Sequence, residues 1–133
     1  MNKQRVNDWI APAAEALEVA GIAKNGEINS KFRGQIAAFG AAITMGSLKS
    51  AAAFFAKQGG AAVSRERLLT ALYYVINGEE KKPNEVFRYI CEHDNYYVRE
   101  QFVDAAIALK LAMNLYEFVE EGKNNEKSEP AVQ

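Results

Sequence analysis

The chain has one cysteine, Cys91, so no disulfide can close within it, and this fits a reducing compartment. It has one histidine, His93, no glycine-rich phosphate loop, and no Cys/His/Asp/Glu spacing of the metal-ligand kind. Catalysis needs polar groups that converge, and these absences leave few to do so. We therefore expect a non-catalytic protein with no metal or cofactor. No apolar run approaches the length of a membrane span, and Met1-Asn2-Lys3-Gln4-Arg5 lacks the hydrophobic stretch of a secretory leader. The expected location is the cytoplasm. Charge of either sign is also missing in bulk: the net value is −1. Residues 117–133 hold five acids and two lysines, and the remainder carries 14 basic and 12 acidic residues, a net of +2. Any contact with nucleic acid must then come from a local patch.

What is present is helix-forming sequence divided by glycine and proline. In the 133 residues we read one domain over 1–121 and a disordered tail over 122–133. A first helix is expected over Lys3–Ala23, with Val6, Ile10, Ala13 and Leu17 on its apolar face and Pro12 bending it or delaying its start. Gly21 and Asn25-Gly26 close that segment. A second helix over Ile28–Met45 carries Phe32, Ile36, Phe39 and Ile43 beside a seam of Ala37, Gly40, Ala41 and Thr44. Ser47 caps a third over Leu48–Gln58, which Gly59-Gly60 ends. Ser64 caps a fourth over Arg65–Ile76, with Asn77-Gly78 as a left-handed stop. Pro83 opens a fifth that ends near Asp94.

The sixth helix, Tyr96 to Glu121, is apolar around most of its circumference. Only a narrow polar stripe of Glu100, Asp104, Asn114, Glu117 and Glu121 interrupts it, so it should lie centrally with Leu109 and Met113 buried. No window alternates apolar and polar residues with Val/Ile/Thr enrichment, and no sheet is predicted. The expected fold is all-α, a compact bundle of about six helices with a long central C-terminal helix.

Among the charged residues, the basic set is the informative one. Lys24, Lys31 and Arg33 gather near the start of the second helix. Lys49 and Lys57 lie two turns apart on the third, and Arg5 stands at the start of the first. Phosphate contact needs only point charges and donors at loose spacing, which such a group supplies. Exposed members of the aromatic set, with Tyr74, Tyr96 and Tyr97 the least clearly assigned to the core, are candidates for base stacking. Arg88 and His93 have the R-x4-H spacing of HEPN ribonucleases, in which histidine and arginine converge on a phosphate. Here Tyr89 stands after the arginine, where those enzymes carry a polar residue.

Three blocks in order, Lys31-Phe32-Arg33-Gly34, Phe39-Gly40-Ala41-Ala42-Ile43 and Leu48-Lys49-Ser50-Ala51-Ala52-Ala53-Phe54-Phe55, resemble the small subunit of type III-B CRISPR effectors, the Cmr complex. Arg5 and the apolar helix from Tyr97 through Phe118 fit the same pattern, so the likeness covers about residues 3–120. Two departures stand in it: Gly46-Ser47-Leu48 shifts the glycine by one position, and Lys110 is alone where basic residues often cluster. The resemblance implies a structural, RNA-binding subunit in antiviral defence. Copies of it would stack beside backbone and large subunits along paired guide and target RNA. It also implies that Arg5, Lys24, Lys31, Arg33, Lys49 and Lys57 include the residues nearest that RNA. A generic helical adaptor and a HEPN-like ribonuclease are the alternative readings.

Overall fold

The computed structural model describes residues 1–57 and 64–120. The expected Gly59-Gly60 stop, the ends of the third and sixth helices at Gln58 and Glu121, and the tail 122–133 lie outside those residues. Six α-helices make up most of the described chain: α1 (Lys3–Val19), α2 (Lys31–Met45), α3 (Leu48–Ala56), α4 (Arg67–Asn77), α5 (Pro83–Glu92) and α6 (Tyr96–Ala112). A single turn of 3-10 helix, Met113–Leu115, follows α6. The bundle and its six helices match the sequence expectation.

The sheet does not. Strands β1 (Ala23–Lys24), β2 (Glu27–Asn29) and β3 (Glu117–Val119) form a three-stranded sheet in that order, with β1 antiparallel and β3 parallel to β2. Asn25 and Gly26 both have positive φ, 54° and 79°, as the two central residues of a type I′ hairpin turn require. The pair reads as a helix stop, but it folds the chain into a hairpin that buries Ile28. Helix α1 consequently ends at Val19 and α2 begins only at Lys31. The end of α1 is a Schellman motif: Gly21 N–H bonds Glu18 O (3.0 Å), Ile22 N–H bonds Leu17 O (2.9 Å), and Gly21 takes φ 74°. Pro12 sits inside α1 without interrupting it.

Two caps behave as expected. Ser47 accepts from the Ser50 N–H at the start of α3, and Gly78 closes α4 with φ 70°. Ser64 does not cap α4. It forms a preceding turn through its carbonyl, and Glu66 flanks a helix that starts two residues later than expected.

Helix α6 packs against α1, α2 and α4, with Leu109 and Met113 fully buried. It leaves helical geometry after Ala112, because Tyr116 onward turns away to pair with β2. Contacts of Met1 with Glu100, Arg5 with Asp104 and Tyr116 with Ala14 show that α1 and α6 run parallel. Asp104, expected on the solvated stripe, is fully buried, while Leu111 and Leu115 are exposed. The true wet face of α6 is therefore partly apolar.

Candidate nucleic-acid interface

Each basic candidate is placed by a local cause. The Asn29 side chain accepts from the Lys31 N–H (3.0 Å), which starts α2 with Lys31 and Arg33 in its first turn. Both side chains are exposed because Phe32, between them, turns into the core. The Arg33 guanidinium lies 4.9 Å from the centre of the Phe118 ring on β3, a cation–π contact that holds it against the sheet. Lys24 is exposed on β1 and stands opposite Glu27 in the antiparallel register. In the parallel pair Glu27 faces Glu117, so the sheet beside Lys24 is of mixed charge.

The other three candidates stand apart. Lys49 Nζ is 3.8 Å from Asp94 Oδ2 in an exposed pair, of the kind that contributes little to stability and leaves the lysine accessible. It sits past the far end of α2, about 21 Å from that helix's start at 1.5 Å per residue. Lys57 is exposed just beyond α3. Arg5 is engaged inside the molecule: its Nε and Nη2 donate to Asp104 Oδ2 at 2.8 and 2.7 Å, and its guanidinium lies over Trp9 and Tyr97. Its first task is to neutralise a buried carboxylate.

One further basic residue, absent from the set picked out by sequence, joins the α2 end. Antiparallel packing of α2 on α6 sets Lys110 with Arg33 around a hollow of about 450 Å³ that also touches Ile107, Leu111 and Asn114. Among the described residues neither Arg33 nor Lys110 has a carboxylate within ion-pair distance. The available signal was that Lys110 is the only basic residue between Arg99 and Lys123.

The HEPN-like pair is not assembled within one chain. His93 ends α5 with its Nδ1 2.9 Å from Tyr89 O and its ring stacked on Tyr89, whereas Arg88 is exposed and five positions away. Five residues turn a helix by about 140° at 3.6 residues per turn, so the two side chains diverge. No three potential metal ligands converge among the described residues, and no described helix is long and apolar enough to cross a membrane. Comparison with known protein families, curated sequences and solved structures finds no match for this chain.

Proposed function

We propose that the chain is a non-catalytic, RNA-binding helical subunit of an RNA-guided effector of the type III-B CRISPR kind. In this reading it lies beside other subunits and further copies of itself along paired guide and target RNA. The observation that carries the proposal is the first turn of α2. There Lys31 and Arg33 are both exposed, neither pairs with a carboxylate among the described residues, and they belong to the block on which the family resemblance rests. Lys24 lies on the hairpin that leads into this turn, and Lys49 and Lys57 extend the positive supply along α3. Such contacts hold a phosphate backbone in place without reading its bases. Arg5 supports the surface indirectly, through the core.

A tagged chain expressed in its own host tests this. It should co-purify with larger effector subunits and a short guide RNA. Recovery of the chain free of RNA and of effector proteins would contradict the proposal. The helical-adaptor reading is the second choice, favoured by the apolar groove between α2 and α6, and it is distinguished by protein partners recovered without RNA.

A further inference from the structure

A groove runs between α2 and α6 that the chain itself leaves open. Its floor on α2 is Ala37, Gly40, Ala41 and Thr44, and Val103 and Ile107 of α6 form the opposite wall. The hollow measures about 300 Å³ and continues into the one beneath Arg33 and Lys110. A Cβ built on Gly40 would meet nothing within 4 Å, so no side chain among the described residues fills the space above the seam. Apolar surface continues past both ends: Met45 is 87% exposed at the end of α2, and Leu111 and Leu115 are 44% and 70% exposed beyond Ile107. Isolated exposed apolar residues are ordinary, but a continuous apolar run along a small-residue seam marks an interaction surface.

We infer that this groove docks an amphipathic helix of another protein, which seats small apolar side chains on the α2 seam and meets Lys110 and Arg33 with carboxylates at one end. Small residues let a second helix axis approach closely, and i, i+3, i+4 and i+7 anchors suit a groove of this shape. Charge selects the occupant. The cationic end has two long basic side chains and no acid among the residues that line it, so a helix with carboxylates there gains where a basic one is repelled. The groove offers no aromatic platform and no track of cations along its length, which single-stranded RNA requires.

Residues 121–133 have only Ala131 and Val132 to bury, so the chain's own tail has no apolar stripe to lay there. A second copy is a poorer match, because the acids on the outer face of α1 are already in use. Asp8 accepts from Gln4, Glu15 from Tyr74 and Glu18 from Tyr116. Arg33 marks the boundary between this groove and the proposed RNA surface; Lys110 belongs to the groove and Lys31 to the RNA face. The inference goes beyond the RNA reading and does not depend on it.

The test uses the full chain and two labelled synthetic helices of about 18 residues, five turns. Both carry the same Ala/Leu stripe; one has glutamates and the other lysines at one end. Fluorescence anisotropy should show saturable binding of the acidic helix and at least about tenfold weaker binding of the basic one. Gly40→Leu fills the groove while favouring the helix it sits in, and it should abolish binding with the thermal melt retained. Lys110→Glu, on the surface, should invert the preference between the two helices, while Lys31→Ala should leave it unchanged.

Equal affinity for both helices, no binding at millimolar peptide, or binding untouched by Gly40→Leu would each overturn the inference. Single-stranded RNA binding that Gly40→Leu abolishes would give the groove to RNA. Concentration-dependent self-association abolished by Gly40→Leu would give it to a second copy. Both results also count against a partner helix.

Discussion

Arg5 and Asp104, 99 residues apart in the chain, meet through two hydrogen bonds to a single carboxylate oxygen at the N-terminal end of the α1–α6 contact. Asp104 has no exposed surface, and its other neighbour is the Asn2 N–H, 3.3–3.4 Å away. Removing one member of such a pair leaves the other's charge buried and unmatched. Arg5→Ala should therefore destabilise the fold by about 3–5 kcal/mol. Asp104→Asn, which removes the buried charge but keeps an acceptor, should cost less. Urea denaturation measures both. A loss below about 1 kcal/mol for Arg5→Ala would mean that solvent reaches the carboxylate.

Leu109 and Leu111, two residues apart on α6, should respond in opposite ways. Leu109 is fully buried, and Leu109→Ala should cost about 2–5 kcal/mol as a core truncation. Leu111→Ala, on the outer wall, should stay within about 0.5 kcal/mol. Equal losses in thermal or urea melts would contradict the face assigned to α6.

Much of this fold is legible in the sequence, because most of its helices end at residues with one physical meaning. Gly78 requires a left-handed cap, Ser47 a side-chain cap, and Phe32, Ile36, Phe39 and Ile43 a single buried stripe, and all take those roles. The strands are illegible for two reasons. At two or three residues each they are too short to display alternation, and β3 pairs with β2 across most of the chain, which no local pattern can show. Asp104 departs from the solvated stripe for the same reason: its burial is set by Arg5 on a distant helix. At the site, the Lys31/Arg33 turn is local and can be read, but the approach of Lys110 to Arg33 follows from how α2 lies on α6.

Alkaline pH should weaken the fold partly through Tyr116. Burial first, and then the hydrogen bond to Glu18 (2.8 Å), push its phenol up to about 12 from an ordinary value near 10. The neutral hydroxyl is thus favoured by the folded state. Its contribution is fully present below pH 10 and is lost as pH rises from there through about 12. Tyr116→Phe should be less stable near neutrality and should show a shallower decline across that window. Parallel pH profiles of unfolding for the two proteins would contradict the assignment.

The separation of Arg88 from His93 leads to an expected lack of ribonuclease activity. The purified chain should leave single-stranded RNA intact with or without divalent metal, and His93→Ala should not alter an assembled complex. Cleavage by the isolated chain that His93→Ala abolishes would replace the structural reading with a nuclease one.

The most direct test of the RNA-binding account is target-RNA affinity of reconstituted complexes at two salt concentrations. Wild type is compared with a triple variant carrying Lys31→Ala, Arg33→Ala and Lys49→Ala. All three side chains are exposed and none supports the core, so the variant should fold and assemble. Each phosphate deprived of its cationic side chain should lower the slope of log affinity against log salt by about one, and binding should weaken most at the lower salt. The account expects reduced affinity and a shallower salt dependence. Normal assembly with unchanged affinity and unchanged slope would show that this surface does not face RNA.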